Sequence, residues 1–142
     1  MYLAKMTTAQ AKEAFEKDPI IVIPVGSTEQ HGTQGALGTD FMVPSYLADH
    51  VEDVDNVIVA PTVPYGVCAS VDWWSLVAQL DKKFDGGHGD VLETSAMMAI
   101  APSGWFGPFD PKDSSAELGQ EALDVAVAYI REFLGEMKQM KL

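Results

Sequence analysis

Apolar residues along this chain fall into two patterns, short continuous runs and longer stripes at helical spacing. Thr7 to Lys17 carries Ala11, Ala14 and Phe15 on one stripe. Thr7 followed by Gln10 is a capping-box pattern, so a helix is predicted there, ended by Asp18-Pro19. Ile20 to Ile23 is a continuous β-branched run, which suits a strand buried on both faces of a parallel sheet. Pro24 to Asp40 is rich in glycine and polar residues and reads as a long loop at that strand's carboxyl end. A helix is predicted over Phe41 to Val51, with Pro44 in its first turn, and a second strand over Val57 to Ala60.

Further along, Asp90 to Ile100 reads as a helix entered through a glycine-rich loop. Ser114 to Lys138 is the longest predicted helix. Ser114 with Glu117 forms a capping box, and Leu118, Ala122, Val125, Tyr129 and Phe133 mark one face. The order of elements predicts an α/β domain, three-layer α/β/α with a small mostly parallel sheet, and one such domain over residues 1–142. Two strands make a thin sheet. A third is expected from Val67 to Leu80 or from another chain.

Composition narrows the function classes. The 142 residues include 9 basic and 21 acidic ones, a formal net charge of −12, which disfavours nucleic acid and anionic membrane surfaces as partners. No apolar run is long enough to span a bilayer, and no signal-peptide pattern is seen. Cys68 is the only cysteine, so neither an intrachain disulfide nor a multi-cysteine zinc site can form. A reducing, cytoplasmic location is expected. The thin sheet, together with Trp73, Trp74, Trp105, Phe106 and Phe109, predicts a homo-oligomer with these aromatics near subunit contacts.

Candidate chemistry concentrates in two places. The first is the loop Pro24-Val25-Gly26-Ser27-Thr28-Glu29-Gln30-His31-Gly32, continuing to Leu37-Gly38-Thr39-Asp40. Glu29 and His31, two residues apart in an extended loop, point the same way, and Asp40 adds a carboxylate. Mixed imidazole and carboxylate ligands suit a divalent metal, zinc or manganese. The competing reading is a polar surface loop with Asp40 as a helix cap. The second place is Gly86-Gly87-His88-Gly89-Asp90-Val91-Leu92-Glu93-Thr94-Ser95. Here Glu93 lies one turn into a helix and can point back at the loop. Equally, Asp90 and Glu93 fit an N-cap and its capping partner.

The run Gly-Ser-Thr-Glu-Gln-His-Gly with Leu-Gly-Thr-Asp resembles the amino-terminal signature of the creatininase (creatinine amidohydrolase) family. The run from His88 to Ser95 is similar to that family's His-Ala-Gly-x-x-Glu-Thr-Ser signature, with the same spacing from His88 to Glu93. Pro64-Tyr65-Gly66-Val67 resembles its strand-end motif. The resemblance covers most of Ile20 to Leu134. It implies that Glu29, His31 and Asp40 fall on metal-binding positions, with Asp40 where a carboxylate bridges two metals, and Glu93 at or near them. It places His88 on a histidine that delivers a proton to the leaving nitrogen. Trp73 and Trp74 resemble tryptophans that wall a substrate pocket; core or interface packing would account for them equally well.

Two departures stand out. The family's second histidine, in a His-Gly-Pro-His pattern, is replaced in His31-Gly32-Thr33-Gln34. Family members also carry further strands and an Asn-Gly-His ligand motif between the Pro-Tyr-Gly motif and the paired tryptophans. This chain is shortened by loss of that central segment. The implied activity is metal-dependent hydrolysis of a C–N bond in a small cyclic or linear amide. The alternative is a non-catalytic or engineered minimal domain of the same fold with an incomplete metal site.

Overall fold

The structure is a computed structural model that describes residues 1–33, 35–66, 89–101 and 113–140. A 3-10 turn over Leu3–Lys5 leads into α1, Thr8–Phe15. The Thr7 hydroxyl accepts from the Gln10 N–H at 3.3 Å while Gln10 Oε1 accepts from the Thr7 N–H at 2.8 Å, so the predicted capping box forms.

Next come β1 (Ile20–Val22), α2 (Thr39–Asp49) and β2 (Val57–Val59). The two strands pair in parallel, Ile20 opposite Val57 and Val22 opposite Val59. Asn56 sets up this pairing. It takes a left-handed conformation (φ 56°), which asparagine tolerates, and its side-chain amide donates to the Lys17 and Asp18 carbonyls at 3.0 and 3.1 Å. The turns that feed both strands are thereby tied together.

β2 is the inner strand. Its far edge takes up the amino terminus, with the Val59 N–H donating to the Met1 carbonyl at 2.8 Å and Tyr2 bridging Val59 in parallel. Val57, Ile58 and Val59 are accordingly fully buried. β1 departs from the expected burial on both faces. Its alternate residues Ile20 and Val22 pack inward, but Ile21 is 40% exposed and Ile23, just beyond, 57%. A continuous apolar run does not distinguish an inner strand from a half-covered one, because β-branched residues favour both.

One face of this sheet packs on Ala48 and Val51 at the end of α2 and on Leu134. A second cluster joins α2 (Val43, Leu47), α3 (Val91–Ile100; Ala96, Met97) and α4 (Ala116–Met137; Leu123, Ala126). The α/β class and the small parallel sheet are as the sequence predicts.

Three local expectations need correction. α2 starts at Thr39, so Pro44 is its sixth residue and lies beyond the first turn. α4 is capped by Ser115, whose Oγ accepts from the Leu118 N–H at 3.1 Å; the Ser114 hydroxyl instead donates to the Val91 carbonyl. The buried stripe of α4 is Gly119, Ala122, Leu123, Ala126 and Leu134, while Tyr129 and Phe133 are about half exposed and stack on each other. The face is rotated because α3 approaches at Gly119, where a Cβ would lie 1.9 Å from the Ser95 carbonyl oxygen. The possible third strand over 67–80, and Trp73, Trp74, Trp105, Phe106 and Phe109, lie outside the described residues.

Candidate metal centre

The loop leaving β1 first continues alongside the chain that leaves β2. Val25 bridges Val63 in parallel, the Gly26 N–H donates to the Val63 carbonyl at 3.0 Å, and the Gly66 N–H donates to the Gly26 carbonyl at 2.8 Å. Thr28 Oγ1 donates to the Pro64 carbonyl at 2.8 Å, which pins the loop to the Pro-Tyr-Gly motif. At Gly26 a Cβ would stand 2.1 Å from the Asp40 carbonyl oxygen, so only glycine allows the loop to lie against the first turn of α2.

The chain then doubles back. The Glu29 N–H donates to the Leu37 carbonyl, the Gly35 N–H donates to the His31 carbonyl, both at 3.0 Å, and His31 and Gly35 form an antiparallel bridge. This reversal brings residues nine apart in sequence face to face. His31 is 1% exposed, and its Nε2 lies 2.9 Å from Asp40 Oδ1. Asp40 Oδ2 accepts from the buried Ser27 hydroxyl. One ligand atom each of Glu29, His31 and Asp40 lie within 4.8 Å of one another, a group able to hold a metal ion.

α3 delivers the fourth acidic or imidazole group. Its N-cap Asp90 accepts from the Glu93 N–H at 2.8 Å. The Glu93 side chain turns back, where Oε2 accepts from the Gly89 N–H at 2.6 Å and lies 3.7 Å from His31 Nε2. The Glu93 side chain therefore goes to Gly89 and toward His31, where a capping-box partner would accept from the Asp90 N–H. The Glu93 backbone serves the cap and its carboxylate faces His31. Burial pushes the Glu93 carboxyl above its ordinary range; the Gly89 N–H and His31 pull it down, and Asp90 and Asp40 push it up. Thr94 Oγ1 donates to the Gly89 carbonyl at 3.3 Å, and Ser95 Oγ accepts from the Ser115 N–H at 3.1 Å. Glu93 and Thr94 thus both bind Gly89, one its N–H and the other its carbonyl, while Ser95 binds Ser115. A small cavity, about 10 Å³, is lined by His31, Gly35, Thr39, Gly89, Glu93, Thr94 and Met97, room for roughly one water-sized occupant. A larger open groove along α4, about 600 Å³, shares none of these residues.

The hydrogen bonding of His31 fixes what the cluster needs. Its Nδ1 is 3.1 Å from the Glu29 carbonyl oxygen. A carbonyl only accepts, so Nδ1 carries the hydrogen. Nε2 then faces two carboxylate oxygens, at 2.9 and 3.7 Å. Acceptors crowded this way need a proton or a metal ion among them. Buried carboxylates are otherwise costly. Separations of this size match ligands sharing one ion, since donors about 2.1 Å from a tetrahedral zinc lie roughly 3.4 Å apart. A metal-ligating imidazole usually donates its other N–H to a carbonyl or carboxylate, as His31 does. The donor set of one imidazole with carboxylates fits zinc or manganese.

Sequence reasoning overlooked Ser27, Thr28 and the glycines that shape this loop. Ser27 is 4% exposed, and the available signal was a hydroxyl set between a glycine and the acidic stretch. His88, Trp73 and Trp74 lie outside the described residues.

Comparison with known proteins gives a consistent picture. The family model described as creatininase, creatinine amidohydrolase, matches residues 4–83. The 3-dehydro-scyllo-inosose hydrolase of Thermotoga maritima is 35% identical over 66 residues, 46% of this chain and 21% of that protein. The mycofactocin precursor peptide peptidase of Mycolicibacterium smegmatis is 34% identical over 65 residues, 42% of this chain and 26% of that protein. The match thus spans only about a fifth to a quarter of the length of these curated relatives. Among solved structures, creatinine amidohydrolase (creatininase) superposes with a TM-score of 0.77 at 17% identity, covering 96% of this chain and 97% of that one. A creatininase described as Mn gives 0.76 at 17% identity, covering 96% and 98%. These distant matches speak for the fold. The family model covers more than half of the chain, including the whole loop that carries Glu29, His31 and Asp40, and the chain therefore belongs to the creatininase family.

Proposed function

We propose that this chain is a metal-dependent hydrolase acting on a C–N bond of a small cyclic or linear amide. The observation that carries the reading is the setting of His31, with Nδ1 committed to the Glu29 carbonyl and Nε2 turned toward the carboxylates of Asp40 and Glu93. Glu29, His31 and Asp40 would hold a zinc or manganese ion, with Glu93 beside it. Solved creatininases of the same fold include a form described as Mn and a zinc–zinc form. Two partly matching relatives are, by name, a hydrolase and a peptidase.

A divalent ion held there supplies Lewis acidity and lowers the pKa of a water toward neutrality. The chain's own residues do the remaining work. Ser27 and the first turn of α2 orient Asp40, and the Glu29 carbonyl orients the His31 ring. The buried setting of His31 and Glu93 keeps bulk water away. By family resemblance His88 delivers a proton to the leaving nitrogen, a role suited to imidazole near neutral pH, and Trp73 and Trp74 wall the substrate pocket. A homo-oligomer fits the apolar surface left at Ile21, Ile23 and Val25, each 40% exposed or more, and light scattering reads it directly.

The test is turnover of a panel of small amides, creatinine and linear formamides included, by zinc- or manganese-loaded chain. Cleavage that stops on chelation and returns with metal is expected. Metal binding without cleavage of any amide would favour the alternative, a metal-holding domain without catalysis. Cleavage indifferent to chelation would overturn the reading.

A further inference from the structure

β1 has one edge in use and one open. On the side of β2, the Ile20 N–H donates to the Asn56 carbonyl at 3.0 Å, and the Val22 carbonyl accepts from the Ala60 N–H at 2.8 Å. Beyond the strand, the Pro24 carbonyl accepts from the Val63 N–H at 2.9 Å, and the Gly26 N–H donates to the Val63 carbonyl. Successive residues of a strand turn their backbone groups to opposite edges, so Ile21, Ile23 and Val25 turn theirs outward. Among the described residues, no backbone hydrogen bond reaches those outward groups. Proline and charge are the usual guards of an open edge. Pro24 does not guard this one, because its missing N–H belongs to the inner edge. No charged residue stands between Asp18 and Glu29. The side chains of Ile21, Ile23 and Val25 share one face of the sheet and are 40%, 57% and 52% exposed. Val63, bridged to Val25, continues that apolar face.

We infer that the outer edge of β1 takes a second copy of this chain, the two β1 strands pairing antiparallel about a two-fold axis at Ile23. The inference rests on the homo-oligomer proposed above, gives it a geometry, and is independent of the metal reading. In this register Ile23 faces Ile23 of the partner subunit, and Ile21 faces Val25 of the partner subunit. Residues opposed in this way exchange both N–H···O bonds, so every outward backbone group of the three residues finds a partner. The apolar side chains of both copies then lie on one face as a continuous strip. The net charge of −12 does not oppose the contact locally, because the uncharged stretch from Pro19 to Thr28 lies against itself and no like charges meet along the ladder. A two-fold contact of this kind is self-complementary and closes at two copies. Three partly exposed side chains and a short ladder cover less than the roughly 800 Å² per partner of a standard stable interface. The association is therefore reversible and depends on concentration.

The experiment uses the full chain carrying Cys68→Ser, so that an introduced cysteine is the only thiol. Ile21→Cys, Ile23→Cys and Val25→Cys are made singly on that background and oxidised with diamide. Opposed residues that exchange hydrogen bonds have Cα atoms about 5.5 Å apart, within the range a disulfide spans. Ile23→Cys should link to its own copy. Ile21→Cys and Val25→Cys should each stay unlinked alone and link to each other when mixed, a product identified by its mass. Sedimentation of the parent chain should show self-association that rises with concentration. Ile23→Lys sets two like charges together at the axis and should abolish that association while circular dichroism and melting of the dilute chain stay those of the parent. Self-association that survives Ile23→Lys, or equal linking by all three single-cysteine chains, would overturn this inference and leave a homo-oligomer of another geometry standing. A parent that stays monomeric at every concentration would overturn both.

Discussion

The two helices that face His31 start in different ways. α3 begins on Asp90, whose side chain caps the Glu93 N–H, and Glu93 returns its carboxylate to the Gly89 N–H. Everything that aims Glu93 lies within four residues. α2 begins on Gly38, which makes no side-chain cap, and Asp40 is aimed by Ser27, thirteen residues earlier. Both carboxylates stand in a helix's first turn, where the macrodipole favours negative charge. One of them nonetheless depends on local capping and the other on the long-range docking of a loop. Damage to the loop should therefore reach the site through tertiary structure, whereas damage to the α3 start should stay local.

The largest effect is expected on the loop side. Gly26→Ala forces a methyl group to within 2.1 Å of the Asp40 carbonyl oxygen, a backbone atom that cannot swing away. We expect a loss of about 3 kcal/mol in urea unfolding, together with loss of metal binding. An unchanged midpoint would show that the loop does not dock as described.

On the α3 side the two acids should separate. Asp90→Ala removes the cap and should cost about 1 kcal/mol of stability, with metal affinity changed less than in Glu93→Gln. Glu93→Gln keeps an oxygen for the Gly89 N–H but loses the charge beside His31, so affinity should fall on the order of 10-fold with little change in melting temperature. The reverse pattern, affinity tracking Asp90 more than Glu93, would make Glu93 a capping residue alone.

The smallest expected effect lies at the other end of α2. Asp49 has its carboxyl pushed above the usual range, first by partial burial and then by Glu52, with His50 pulling it down. It also sits in the last turn, where the helix dipole disfavours an anion. A raised folded-state pKa means that the native chain holds this proton more tightly than the unfolded one. Its favourable contribution is thus complete below the ordinary aspartate pKa and is lost as pH rises through the folded value. Asp49→Asn should therefore be slightly more stable than the parent at neutral pH, and the difference should shrink on acidification. A gain that grows as pH falls would refute the assigned direction.

What could be read in the sequence was mostly what neighbours in sequence determine. The Thr7–Gln10 box, the β-branched runs of β1 and β2, and the start of α3 at Asp90 all depend on residues within a few positions, and the structure has them. Ser114 and Ser115 both qualify as caps by type, and only the docking of Ser114 on Val91 decides between them. The phase of α4 was set by the close approach of Ser95 to Gly119, a contact across helices that no periodicity within α4 encodes. Glu29, His31 and Asp40 stood out by side-chain type and by the family resemblance, with a polar loop and a helix cap as the competing reading, and the structure brings one ligand atom of each within 4.8 Å of one another. Ser27 was not, since a serine in a polar loop looks alike whether it faces water or a buried carboxylate. Glu93 was legible only as a choice between cap and site; its backbone N–H meets the Asp90 cap and its carboxylate lies 3.7 Å from His31 Nε2.

In the function proposed for this chain, one imidazole and neighbouring carboxylates hold a divalent ion. X-ray absorption at the zinc edge, on zinc-loaded parent and His31→Ala chains, tests it most directly. A nitrogen and oxygen shell is expected in the parent, with the outer scattering of an imidazole ring that disappears in His31→Ala. A sulfur-containing shell, or identical spectra from the two chains, would contradict it.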